Sequence, residues 1–184
     1  PKGDFLAVAG PKGLLRIYDA RTGKLKHLLA EHTKAINSVA FHPTEPAIIS
    51  GGSDGKIIVW DYDTGKRLRQ FAEVKARVRS LAFSPDARHV LVGSSDSDVM
   101  VWHYRDGILL RRLPGHIADV SRAVFAPDGI HVVSGSADRT VRVWNIQTGR
   151  QLAVFEGHQE QVLDIDISPD GKFAASAAGG RMEN

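Results

Sequence analysis

The chain has 184 residues, 42% hydrophobic and 24% charged, the balance of an ordinary globular chain rather than of a disordered or fibrous one. Its 24 Lys and Arg against 21 Asp and Glu leave a net charge of +3, too mild an excess to call for a nucleic-acid partner, and the lack of any cysteine excludes disulfides, thiolate metal sites and cysteine nucleophiles. No run approaches the roughly 18 apolar residues of a membrane span and "PKGDFLAVAG" is not a secretory leader, so the expectation is a cytoplasmic protein with no membrane partner.

Taken in chain order, the segments repeat. Residues 1–31 read as three short strands from Phe5 onward, and residues 32–73, 74–115 and 116–157 as four strands each. Residues 158–184 read as two, ending near Ser176, for a total of about 17 by strand-pattern reading. Within the fourth segment "DVSRAVFA", "IHVVSGS", "TVRVWN" and "QLAVF" are rich in Val, Ile, Phe and Trp. Turns built on Pro, Asp and Gly separate them, the pattern of an antiparallel all-β unit. Gly23, Gly65, Gly107 and Gly149 stand where a hairpin needs positive φ before the last strand. The segments share one register of 42 residues: Trp60, Trp102 and Trp144 with Tyr18 before them; Asp54, Asp96 and Asp138; Pro43, Pro85, Pro127 and Pro169; Phe41, Phe83 and Phe125 with Ile167. A period of about 40 to 45 residues is that of a four-stranded propeller blade.

The pairs Gly115-His116, Gly157-His158 and Trp60-Asp61, with runs such as "SGSAD", resemble WD-repeat (β-transducin repeat) blades over essentially the whole chain. That resemblance implies an all-β propeller of four-stranded antiparallel blades, here three complete and two partial, belonging to a ring usually of seven. The remaining blades would come from further sequence or from another chain. It also implies, by matching positions, a hydrogen-bonded chain of His, Ser, Asp and Trp in each blade: His32, Ser50, Asp54 and Trp60, then His116, Ser134, Asp138 and Trp144. The third segment has Val74 and Val92 at the His and Ser positions while keeping Asp96 and Trp102; losing both partners together is expected to be nearly neutral. The fifth keeps His158 and Ser176 but has Gly180 in place of Asp.

A hydrolytic triad of His, Ser and Asp is outweighed because a catalytic site is built once, whereas this set recurs. His42, His89, His103 and His131 lack partners at metal-ligand spacing, and "SGGSDGK" opens no helix as a phosphate loop would. No cofactor or metal is expected. The resemblance further places partner contacts at three positions per blade: Ala35, Asn37 and Ser53; Arg77, Arg79 and Ser95; Asp119, Ser121 and Ala137; Gln161 and Leu163. One blade differs in charge, since Lys75, Arg77 and Arg79 fall together and strand alternation sends both arginines to one side. They suit an acidic or phosphorylated protein segment; without interleaved aromatics they do not suit nucleic acid. The resulting expectation is a non-catalytic protein-interaction scaffold, with an accessory substrate-docking or regulatory domain of a larger enzyme as the alternative.

Overall fold

A computed structural model describes residues 3–72 and 74–180. Seventeen strands and no helix occur among these residues. The first sheet holds β1 (Phe5–Ala9), β2 (Leu15–Asp19) and β3 (Leu25–Leu29). Three four-stranded sheets follow: β4 (Ile36–Phe41), β5 (Ala47–Gly52), β6 (Ile57–Asp61) and β7 (Arg67–Gln70); β8 (Val78–Phe83), β9 (His89–Ser94), β10 (Val99–His103) and β11 (Leu109–Leu113); β12 (Val120–Phe125), β13 (His131–Ser136), β14 (Val141–Asn145) and β15 (Gln151–Phe155). The last sheet pairs β16 (Val162–Ile167) with β17 (Ala174–Ala178). Each is an antiparallel meander in chain order, the arrangement of propeller blades, and no sheet exchanges a strand with another.

The sheets stack face to face, with one apolar cluster between each successive pair. Alternation divides the middle strands between two neighbours: Ile48 and Ile58 face the first blade with Leu15 and Ile17, while Ile49, Ile57 and Val59 face the third with Val78 and Val90. That is why β5 is buried along its whole length. Glycine lets the blades close up. A methyl on Gly93 would lie 2.9 Å from Val120 Cγ1 and one on Gly135 2.5 Å from Val162 Cγ1; Gly51 stands in the same register against Val78.

Two β-bulges recur in register. On the inner strands the pairing skips Asn37, Arg79, Ser121 and Leu163, so these residues oppose nothing on the neighbouring strand. On the outer strands it skips Lys26, Leu68, Leu110 and Leu152, and the three leucines are half-exposed as a result. A bulge bends the strand and re-aims the extra side chain. Ties between blades run from the inner strands: Ser38 Oγ accepts from Leu81 N at 3.0 Å and Ser80 Oγ from Ala123 N at 3.1 Å.

Candidate functional site

In the second blade the structure brings His32, Ser50, Asp54 and Trp60 together. Trp60 Nε1 donates to Ser50 Oγ at 2.8 Å, Ser50 Oγ lies 2.9 Å from His32 Nε2, and His32 Nδ1 lies 3.0 Å from Asp54 Oδ1. The fourth blade repeats this with Trp144, Ser134, His116 and Asp138, each link 2.8 Å. An indole can only donate and a carboxylate only accept, so Nδ1–H donates to the carboxylate; the Ser hydroxyl accepts from the indole and, beside the Nδ1–H tautomer, has its own hydrogen to give to Nε2. Burial pushes the His116 pKa down despite Asp138 beside it, in keeping with that tautomer. Burial alone would raise Asp138, but hydrogen bonds from Thr140 and His116 hold it down to about 2. Both serines are fully buried, out of reach of any substrate.

The third blade departs from the expectation of a neutral double replacement. Val74 and Val92 are buried in the apolar cluster with Phe71 and Trp102, but the indole keeps its donor: Trp102 Nε1 is buried without a partner among the described residues. Exchanging Ser and His for Val silences the middle of the chain and leaves its end unmatched, a cost set by the orphaned N–H. Asp96, with no imidazole to receive, takes the Ser94 hydroxyl at 2.5 Å instead. In the second and fourth blades the turn Asp also accepts the backbone N–H that follows His: Thr33 N at 2.8 Å and Ile117 N at 3.1 Å. No acceptor is recorded among the described residues for the equivalent Lys75 N–H. In the fifth blade His158 Nε2 and Ser176 Oγ are 2.8 Å apart but exposed, and the Glu160 carboxylate fills the space beside Gly180.

All the partner-contact positions except Ala35 separate into two pockets on the face formed by the His-bearing turns. Lys75, Arg77, Ser53 and Ser95 line one of about 380 Å³ between the second and third blades; Asn37, Arg79, Asp119, Ser121, Ala137 and Gln161 line another of about 670 Å³ at the inner strands. The expectation that alternation keeps Arg77 and Arg79 on one side is corrected here. Arg77 precedes β8 and Arg79 is its bulged residue, so the two-residue period does not apply between them. Arg79 turns to the fourth blade and forms an ion pair with Asp119, its Nε 3.1 Å from Oδ2. Arg77 stays with its own blade, its N–H donating to Ser95 Oγ at 3.1 Å. The smaller pocket gains instead Lys34, which falls outside the contact positions implied by the resemblance because it stands two residues after His32, one short of Ala35. Lys34, Lys75 and Arg77 are exposed and have no carboxylate within 4.0 Å recorded among the described residues. Asp54 borders the same pocket, but its carboxylate faces His32 and its side chain is 4% exposed. In the larger pocket Asn37 Nδ2 donates to Val78 O at 2.7 Å, and the Ser121 hydroxyl to Val162 O, so these bulged residues also tie blade to blade.

Among the described residues no cluster of three or more His, Asp or Glu has metal-binding geometry. A Vps8 beta-propeller model matches residues 2–105, and a WD domain, G-beta repeat model matches residues 107–145 and 149–182. The U5 small nuclear ribonucleoprotein 40 kDa protein of Homo sapiens is 37% identical over 54 residues and that of Mus musculus 35% over the same length. The matched stretch spans 29% of this chain and 15% of each relative.

Proposed function

Because the chain belongs to the WD-repeat β-propeller family, we propose that it is a non-catalytic platform whose cleft between the second and third blades receives an acidic or phosphorylated segment of a partner protein. WD-repeat propellers generally mediate protein–protein interactions, and the relatives' printed name, a ribonucleoprotein component, supports a place within an assembly. The observation that carries the reading is the convergence of Lys34, Lys75 and Arg77 on one pocket with no carboxylate turned toward them among the described residues. Exposed charges gain little until a partner pairs and desolvates them, so a cluster with no carboxylate on it among the described residues is available to an anion. The recurring His–Ser–Asp set supports no hydrolysis, since its hydroxyls are fully buried and engaged by indoles.

The test is fluorescence anisotropy with a labelled peptide rich in Asp and Glu, at two salt concentrations. Reversing charge with Lys75→Glu and Arg77→Glu is expected to weaken binding and flatten its salt dependence, with the melting temperature unchanged within a few degrees. Binding that ignores the reversal removes this cleft from consideration.

A further inference from the structure

Resting on that reading, we infer that the cleft is a site for a phosphate monoester, carried by a phosphorylated serine or threonine of a protein segment, rather than for a carboxylate. Three cations reach it from two blades, Lys34 from the second and Lys75 and Arg77 from the third. A carboxylate offers two coplanar oxygens and one charge. A phosphate monoester offers three tetrahedral oxygens and close to two charges at neutral pH, which is the complement of three cations lining one pocket from two backbone segments.

One hydroxyl fits the same ligand. Ser95 Oγ accepts from Arg77 N, so its own hydrogen is available to an oxyanion, whereas the Ser53 hydroxyl, opposite on the second blade, is engaged with Asn37. The backbone supplies a further donor through the change that distinguishes this blade. With Val74 in place of His, the turn carboxylate Asp96 is drawn to Ser94, and the Lys75 N–H, whose counterparts at Thr33 and Ile117 are taken by Asp54 and Asp138, has no acceptor recorded among the described residues. Unlike its counterparts in the second and fourth blades, that N–H, at the rim of the cleft, has no turn carboxylate recorded on it among the described residues and is left to an incoming anion. Arg79 is not part of the site, because Asp119 neutralises it in the neighbouring pocket.

The experiment passes three degenerate nine-residue peptide libraries over the immobilised 184-residue chain, with phosphoserine, glutamate or serine fixed at the centre, beside a mixed-sequence single-stranded RNA. Arg77→Ala and Lys34→Ala are compared with Arg88→Ala, which removes the same charge at an exposed turn outside the cleft. Retention of the phosphoserine library about ten-fold above the glutamate one, falling about ten-fold in either cleft variant and not in Arg88→Ala, is the expected result. Equal retention of the phosphoserine and glutamate libraries overturns the phosphate assignment and leaves the acidic-segment reading standing. No retention of either overturns both. RNA retained in place of the peptides, with the same dependence on Lys34 and Arg77, also overturns both, in favour of a nucleic-acid site.

Discussion

The second and fourth blades and the third are built on the same register, yet they hold their upper turns by different means. In the former a buried indole, hydroxyl, imidazole and carboxylate form one chain from the middle of the sheet to the turn. In the latter, apolar packing of Val74 and Val92 against Phe71 and Trp102 replaces the middle of that chain, and both ends change state: the indole loses its acceptor and the carboxylate turns to Ser94. A hydrogen-bonded chain is therefore not a set of interchangeable pairs. Removing interior members shifts the cost to whichever terminal group cannot find a substitute, and here the Asp finds one while the indole does not.

The largest break in this contrast comes from making the fourth blade resemble the third by one step. Ser134→Val leaves Trp144 Nε1 and His116 Nε2 without partners, and a loss of about 2–6 kcal/mol in denaturant unfolding is expected, at roughly 1–3 kcal/mol per orphaned group. Acid should find the same blade. Asp138 is held at about 2 against an ordinary 3.8, so its contribution is present above pH 3.8 and lost as pH falls through about 2; it is on the order of 2 kcal/mol. His116, pushed below 6.5, adds in the same direction: the unfolded chain takes a proton below pH 6.5 that the native blade resists. Stability measured from pH 7 to pH 2 should fall in these two windows, and an Asp138→Asn variant should make the lower fall shallower without abolishing it, since Asp54 and other turn aspartates are also held below their ordinary value.

Repairing the third blade is the next smaller effect. Val92→Ser gives Trp102 Nε1 an acceptor at the position Ser50 holds beside Trp60, and that gain is set against lost apolar burial, for a net change within about 1 kcal/mol. Val74→His alone buries an imidazole with only Asp96 to receive it and destabilises. In a double-mutant cycle the pair should couple favourably by about 1–2 kcal/mol, whereas strict additivity would mean that the two positions do not communicate. The smallest effect concerns the two pockets. Arg79 and Asp119 are each about one-third exposed, at 38% and 34%, so their coupling should be below about 1 kcal/mol. Arg79→Ala should also leave anion binding in the neighbouring cleft essentially unchanged.

What could be read from the sequence is what repeats along it. Strand number, sheet order and the positions of Trp, Ser, His and Asp all follow from the 42-residue register, because each blade contains its own copy of the interactions concerned. What could not be read lies between blades or depends on a break in the strand period. The Ser38 and Ser80 ties to Leu81 and Ala123, the turning of Arg79 to Asp119 and the entry of Lys34 into the cleft all need the angle between two sheets. The bulges at Asn37, Arg79, Ser121 and Leu163 could not be seen in an apolar–polar pattern, because an inserted residue is indistinguishable there from one more alternating position. The four are already spaced at the repeat length, however, and four side chains as unlike as Asn, Arg, Ser and Leu at one register position are what remains visible of them.

The glycines at positions 51, 93 and 135 bear on the geometry of the array as a whole. Each admits a valine of the next blade, Val78, Val120 or Val162, into space that a methyl would occupy. The corresponding residues in the first and fifth blades are Ala9 and Ala177. Neighbouring blades are wedges, narrow at the inner strands and wide at the outer ones, and the angle of a wedge depends on how closely its inner parts approach. A hydrogen atom in place of a methyl sharpens or relaxes that angle according to its radius from the axis, and the angle, summed around a circle, limits how many blades a ring can hold. Substituting these three glycines together would thus act on curvature, a property of the assembly that no single blade possesses.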